Sequence, residues 1–319
     1  MILIVSQKTD FATTQVIGWL VGMGKKFIRL NGDENYKILE ISDDEIVINK
    51  GGKVINLTQC DSYWYRRNGV FLTHLGGDAR KLVSINKTPQ CLVSNINSEF
   101  EALRIHIYKI LESKVKDSKR ISSFFSRSVN KLDVLKQAES VGLKVPYTCL
   151  VSTKSALVEI LKKKNVITKA VDDSIYSSDD KLFYAGYTSR ITVNDLTELP
   201  EVFMTSLIQE EIQKKYELRV FYIKNRFYSS VVFSQEDKDG IVDCRRSVDF
   251  RYLPYKLPKD IEKKLGVLMK ILDLNTGSID MIVDSNSQYV FLEVNPVGQF
   301  VAYGEYCNYY LDKELAKLL

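Results

Sequence analysis

Asp280, Glu293 and Asn295 are the oxygen-bearing residues whose spacing most directly implies chemistry. They lie in residues 276–300, TGSIDMIVDSNSQYVFLEVNPVGQF, where two apolar-alternating runs flank a polar turn, the pattern of a β-hairpin. With a loop at 285–288, Asp284 pairs with Tyr289, Asp280 falls opposite Glu293, and Ser278 falls opposite Asn295. Alternate side chains share a face, so Ile279, Met281, Val283, Val290, Leu292 and Val294 form an apolar side. Ser278, Asp280, Glu293 and Asn295 form the other. Two facing carboxylates with Cβ atoms about 5 Å apart repel unless a cation lies between them. A hard divalent ion such as Mg2+ suits an all-oxygen cluster. The alternative is a solvated acidic face, common on antiparallel sheets. Pro296 ends the strand beside the carboxylates and favours the rim of a site.

Residues of opposite charge precede this stretch. Lys131 falls in the first turn of a helix expected from Asn130, its cap, to Gly142, its stop. A lysine there opposes the helix dipole unless it reaches an anion such as phosphate, or turns to solvent. Lys169 sits in the apolar strand VITKA, 166–170, and must snorkel outward or meet a negative partner. Glu217 and Arg219 share a face of a strand at 216–223, which a tight turn at Lys224-Asn225 returns as 227–233. Asp243, Arg245 and Arg246 follow in VDCRR. Two lysines, a Glu/Arg pair and an oxygen cluster make the kit for a nucleoside triphosphate with its metal. The cations neutralise phosphates and the carboxylates hold Mg2+. No GxxxxGK[ST] occurs, so the phosphates must be held between β-elements rather than by an ordinary P-loop.

The elements that position these residues can be followed along the chain. A strand at 1–5, a helix opened by Asp10 and running to Met23, and a strand at 26–30 form a βαβ opening without GxGxxG. A charged hairpin near 49–53 leads to Tyr63-Trp64-Tyr65-Arg66-Arg67, where an acidic ligand could dock. Cation-π packing at an exposed strand end is the simpler reading there. Residues 99–112 have helical period, and the charged stretch 114–120 marks the end of a first domain. Residues 172–190 read as a flap, 207–212 as a strand, and 258–272 as an amphipathic helix leading into the carboxylate hairpin.

Bulk composition fits this picture. The chain has 319 residues, enough for two or three compact units. Net charge is only +5, so a polyanionic partner such as nucleic acid is not strongly implied. Five scattered cysteines, Cys60, Cys91, Cys149, Cys244 and Cys307, form no CxxC pair and fit a reducing cytoplasm. No apolar run approaches the roughly 18 residues of a membrane span. His74 and His106 are too few for a histidine metal cluster.

Taken in order, Asn130-Lys131, Lys169, QEEI at 209–212, ELRV at 217–220, and D…FLEVNP at 280 and 291–296 resemble the ATP-grasp superfamily over residues 120–300. WYRRNG, QEEIxKxxELRV, VDCRR, LPYKLP, GSIDMIV and FLEVNPVGQF together are similar to the ATP-grasp peptide maturases that make graspetides, the microviridin-type and grasp-with-spasm macrocyclases. The resemblance implies an α+β ATP-grasp fold with an N-terminal pre-ATP-grasp domain at 1–120, a central domain with the flap at 121–205, and a C-terminal grasp domain with the Mg2+ site at 206–319.

It implies that Lys131 and Lys169 contact ATP, and that Gln209, Glu210, Glu211 and Ile212 form the linker that presents backbone groups to adenine. Glu217 would hold ribose and Arg219 the phosphates, while Asp280, Glu293 and Asn295 would ligate Mg2+. Asp243, Arg245 and Arg246 match the DxRR element, which handles acidic side chains of the substrate, with Cys244 where relatives often have an aromatic. Val297-Gly298-Gln299-Phe300 departs from the family's Asn-Gly-Gln-Trp. The implied reaction is ATP-dependent ester or amide macrocyclisation of a ribosomally made precursor peptide by a cytoplasmic homodimer. A carboxylate-amine ligase of the glutathione synthetase or glutamate-adding type is the nearest alternative, and a non-catalytic nucleotide-binding module a more distant one.

Overall fold

The computed structural model describes residues 1–75, 90–172, 176–178, 183–233 and 251–319. The chain divides into two compact units, residues 1–127 with 299–301 and 310–319, and residues 128–298 with 302–309.

The first unit is built on a parallel sheet. Strand β1 (Ile2–Ser6), helix α1 (Phe11–Gly22) and strand β2 (Phe27–Asn31) form the expected βαβ opening, with Ile2 paired to Phe27. Strands β3 (Tyr36–Ile41), β4 (Ile46–Lys50) and β5 (Lys53–Asn56) form a separate antiparallel sheet, turning between β4 and β5 at Gly51 and Gly52, both with positive φ. Strand β6 (Ser62–Tyr65) returns to pair with β1, helix α2 (Gln90–Ser113) follows, and β7 (Arg120–Ile121) completes the order β2-β1-β6-β7. Leu3, Val5, Tyr63, Tyr65, Ile107, Tyr108 and Phe124 share the core.

Arg66 is not at an exposed strand end. It is 4% exposed, its Nε donates to Asp10 Oδ2 at 3.0 Å, and its guanidinium lies 5.4 Å from the centre of the Phe300 ring. Asp10 stands at the N-cap of α1 as expected. Its carboxylate makes no backbone cap bond and instead accepts from Arg66 and Thr13. Arg66 therefore makes a cation-π contact, but in the core and with Phe300 rather than at an exposed strand end.

The second unit has two larger antiparallel sheets and a two-stranded one among the described residues. Helix α3 (Lys131–Ser140) begins where Asn130 Oδ1 accepts from the amides of Leu132 and Asp133, and it stops at Gly142, φ 80°. Strand β8 (Thr148–Thr153), helix α4 (Lys154–Leu161), β9 (Val166–Lys169), the short pair β10 (Tyr176–Ser178) and β11 (Phe183–Ala185), β12 (Ser189–Ile191) and β13 (Val202–Glu210) follow. Four of these strands make a sheet in the order β12-β9-β13-β8, whose core includes Val151, Leu157, Val166 and Ile208.

Strands β14 (Lys214–Ile223), β15 (Arg226–Val232), β16 (Tyr252–Tyr255), β17 (Thr276–Asp284) and β18 (Tyr289–Asn295) form the larger sheet, in the order β16-β15-β14-β17-β18. The β14–β15 turn has positive φ at both Lys224 and Asn225, the geometry that suits a two-residue hairpin. Helix α5 (Lys259–Ile271) carries Asp260 and Glu262 in its first turn and Lys270 in its last, matching the helix dipole. Its Ile261, Leu265, Leu268 and Met269 join Val134, Leu135 and Ala138 of α3 against Leu218, Val220 and Tyr222 of β14. Burying a Leu or Met side chain is worth about 1.5–3 kcal/mol. One face of the sheet is thereby committed to core, and alternation leaves Glu217, Arg219 and Asp280 on the other.

Helix α6 (Val301–Tyr306) and helix α7 (Leu311–Leu318) end the chain, with α7 along α1: Trp19 Nε1 donates to Asp312 Oδ2 at 2.7 Å and Lys25 Nζ to the Ala316 carbonyl at 2.9 Å. Replacing Arg66 by Ala leaves the Asp10 carboxylate buried without its cation, so unfolding in urea should show a loss of about 3–5 kcal/mol. A loss near zero would show that the pair does not support the first unit.

Candidate functional site

Cross-strand register assembles the site on the uncommitted face of the larger sheet. Arg219 on β14 lies opposite Asp280 on β17, and Asp280 lies opposite Glu293 on β18. Ser278 lies opposite Asn295, as the hairpin pattern predicts. Opposite residues share a face, so Glu217, Arg219, Asp280 and Glu293 form one charged patch across three strands.

The outer half of the hairpin differs from expectation. The loop is three residues, 285–287, because the Asp284 amide donates to Gln288 O at 3.0 Å and Ser287 adopts φ 60°. Val283 therefore pairs with Tyr289 and Met281 with Phe291. The register shifts between Met281 and Asp280, leaving Leu292 as the extra residue of a β-bulge, and Asp280 regains Glu293 as partner. Phe291, 0% exposed, consequently takes the core position expected for Leu292. The cause is Asp284: its Oδ1 accepts from the amides of Asn286 and Gln288 at 2.9 and 2.8 Å, closing a tighter turn, while Lys144 Nζ donates to Oδ2 at 2.8 Å.

Three cations meet the two carboxylates. Arg219 Nη1 forms a close ion pair with Asp280 Oδ2. Lys169 Nζ lies 3.4 Å and Lys131 Nζ 4.0 Å from Glu293 Oε2. Lys131 also donates to the Asp172 carbonyl at 2.7 Å. Lys169 has thus met a negative partner rather than snorkelling away. Burial, then repulsion from Glu293 and Glu217, pushes the Asp280 carboxyl above its ordinary range against the pull of Arg219. Glu293 moves the opposite way: burial raises it, but Lys169, Lys131 and Arg219 together hold it below the ordinary range.

The site suits a hard cation. Asp280 Oδ1 is buried without a hydrogen-bond partner, while its other oxygen faces Arg219. A buried orphan acceptor costs about 1–3 kcal/mol, which a bound cation would recover. Among the described residues no group of three or more His, Cys, Asp or Glu could hold a metal, so the donors here are two carboxylates and the Asn295 amide. Mg2+ often takes only one or two carboxylates, with phosphate and water oxygens completing its shell. Asn295 Oδ1 accepts from the Val297 amide at 3.1 Å, and its second lone pair is outside that bond. Beyond it the chain doubles back so closely that a Cβ on Gly298 would lie 2.3 Å from Ser278 Cβ.

The first two linker residues, Gln209 and Glu210, sit on the neighbouring sheet. Gln209, 1% exposed, donates through Nε2 to Thr148 Oγ1 at 2.9 Å. Glu210 ends β13, with its carboxylate 3.0 Å from Lys164, and Glu211 accepts from Arg190 Nε at 2.7 Å. Ile212 lies beyond the strand. Asp243, Arg245 and Arg246 lie outside the described residues. Lys214, the lysine of the QEEIxKxxELRV motif, was given no role from the sequence; its Nζ forms a close ion pair with Glu217. His74, one of two histidines weighed above, is structural, stacked 3.7 Å from Tyr36.

No protein-family profile and no curated protein matches the chain. Solved structures do. The macrocyclase MdnC of Microcystis aeruginosa, bound with precursor peptide MdnA, is similar over 100% of this chain and 99% of its own, at 27% identity and TM-score 0.79. A Chryseobacterium gregarium RiPP-associated ATP-grasp ligase, in complex with ADP and a leader and core peptide, covers 99% of this chain and 94% of its own, at 23% identity and TM-score 0.79. MdnB, a second macrocyclase of Microcystis aeruginosa, covers 100% of this chain and 98% of its own, at 20% identity and TM-score 0.72. The fold is therefore the α+β ATP-grasp fold.

The hairpin carries its own test. Lys144 and the turn amides hold Asp284 below the ordinary carboxylate range. A carboxylate lowered on folding stabilises fully above its unfolded value near 3.8 and loses that contribution as pH falls through the lower folded value. The melting temperature of Asp284→Asn should lie below that of the parent at neutral pH, and the gap should close below about pH 4. A gap constant from neutral to acid pH would contradict the assigned turn.

Proposed function

We infer that this chain, an ATP-grasp ligase with the fold of the peptide macrocyclases from end to end, joins side chains of a precursor peptide at the expense of ATP. The observation that carries this reading is the Asp280–Glu293 pair, in register, with a buried unpartnered oxygen and three cations around it. ATP is the substrate that supplies the phosphoryl group. It phosphorylates an Asp or Glu side chain of the peptide, giving an acyl phosphate and ADP. A Thr or Ser hydroxyl, or a Lys amine, of the same peptide then attacks the acyl carbon and phosphate leaves, closing an ester or amide.

Bound Mg2+ would screen phosphate charge, and Asp280, Glu293 and Asn295 are the residues to hold it. Lys131, Lys169 and Arg219 neutralise phosphate oxygens, so charge developing on transfer meets fixed positive groups rather than reorganising water. The backbone of the 209–212 linker takes adenine, and Glu217 accepts from ribose hydroxyls. Asp243, Arg245 and Arg246 are assigned to the acidic side chains of the peptide. No enzyme nucleophile is required; positioning and exclusion of water suffice.

Around this site we propose the division into domains at 1–120, 121–205 and 206–319, a cytoplasmic homodimer as the working form, and no nucleic-acid partner. No helix among the described residues is long and apolar enough to cross a membrane.

The reaction is tested by incubating the enzyme with MgATP and a precursor peptide encoded beside its gene, then weighing the product. Each closed ring lowers the mass by one water, whereas ligation of a separate amine would raise it. Asp280→Ala and Glu293→Ala should each abolish the ATP-dependent loss. Full activity in either variant would remove the metal assignment.

A further inference from the structure

Glu217 and Lys214 are three residues apart on one strand, so regular alternation would send them to opposite faces. They meet because β14 carries a bulge. Lys214 pairs with Asp284, Tyr216 with Val283, and Glu217 with Ile282, so Lys215 is the extra residue. Lys214 and Glu217 thereby occupy positions opposite residues two apart on β17, which share a face. The result is a close ion pair between side chains only 6% and 12% exposed. Val232 on β15 and Ile282 on β17 flank Glu217, so apolar side chains stand on both sides of this carboxylate. A lysine this deeply buried is expensive unless paired, and it contributes little that an apolar residue would not in a purely structural strand. Bulges beside functional sites commonly serve to re-aim one side chain.

We propose that Lys214 is a positioning residue of the nucleotide site, fixing the Glu217 carboxylate so that it can accept hydrogen bonds from the ribose hydroxyls. This rests on the ribose role of Glu217 inferred above. Lys214 acts on the ligand through Glu217, whereas Lys131 and Lys169 face Glu293 and Arg219 pairs with Asp280, the residues assigned to the phosphates and their metal. Its effect should therefore be confined to ribose recognition and leave phosphate affinity alone.

The test is calorimetric binding in Mg2+ of ATP, 2′-deoxy-ATP, 3′-deoxy-ATP and tripolyphosphate. A hydrogen bond to a charged group is worth roughly tenfold in affinity, so the parent should prefer ATP to at least one deoxy analogue by about that factor. Lys214→Met should reduce that preference to within about twofold while tripolyphosphate affinity stays unchanged, and Lys214→Arg should restore it. If Lys214→Met keeps the preference while Glu217→Gln loses it, the positioning role is overturned and the ribose assignment stands. If Glu217→Gln also keeps it, the ribose assignment fails and takes the positioning role with it.

Should Lys214→Met not fold, the double variant Lys214→Met/Glu217→Gln, which removes both charges together, is compared with Glu217→Gln alone. Equal ATP affinities support action through Glu217. A further loss in the double variant overturns it.

Discussion

The structure of the second unit turns on the mutual repulsion of two carboxylates held in register. Asp280 and Glu293 cannot separate, because backbone pairing of β17 with β18 sets their spacing and the opposite face of the hairpin is locked into the α3–α5 core. Like charges half-buried on neighbouring strands are favoured only beside compensating cations. The chain supplies these from three separate elements: Arg219 from β14, Lys169 from β9 and Lys131 from the first turn of α3. Their arrival at one place follows from the carboxylates' demand for positive charge. The pull is unequal, and so is its effect: Lys169, Lys131 and Arg219 hold Glu293 below the ordinary carboxylate range, whereas burial, then repulsion from Glu293 and Glu217, raises Asp280 against Arg219.

Two irregularities in the sheet refine the patch. The bulge at Leu292 restores the Asp280–Glu293 pairing after the tight Asp284 turn has slipped the register by one, and the bulge at Lys215 brings Lys214 over to Glu217. A one-residue slip inverts every following side chain, so without the first bulge Glu293 would point into the core. Asp284 and Leu292 are therefore coupled: the carboxylate that tightens the turn makes the bulge necessary. Gly298 belongs to the same economy of space, since only a residue without a side chain lets the segment after Pro296 fold onto Ser278.

Much of this was legible in residue types and spacing. The apolar stripe at 258–272, the Asn130 cap, the Gly142 stop and the Lys224-Asn225 turn are local signals whose physics does not depend on distant contacts, and each element formed where they indicated. Alternation put Asp280 opposite Glu293, and the structure has that pairing. The bulges were not legible, because period-two patterning is blind to an inserted residue, and the expected and observed hairpins agree at Glu293 only because two shifts cancel. Arg66 shows a different limit. Adjacent arginines suggest solvent or a ligand, and nothing local shows that Asp10, fifty-six residues earlier, and Phe300, at the other end of the chain, will enclose the first of them.

That enclosure separates two uses of arginine in one protein. Arg66 is buried against a carboxylate and an aromatic ring, with its Nε committed to Asp10, and its guanidinium serves cohesion. Arg219 stands on a sheet face with 23% of its side chain exposed, against a carboxylate whose second oxygen lacks a partner. Both ion pairs satisfy charge, but only the second leaves an acceptor unsatisfied. A protein that has learned to bury Arg66 completely has no steric reason to leave Asp280 half answered. The unmet oxygen is the feature that separates the two pairs, and it is where the proposed metal would be held.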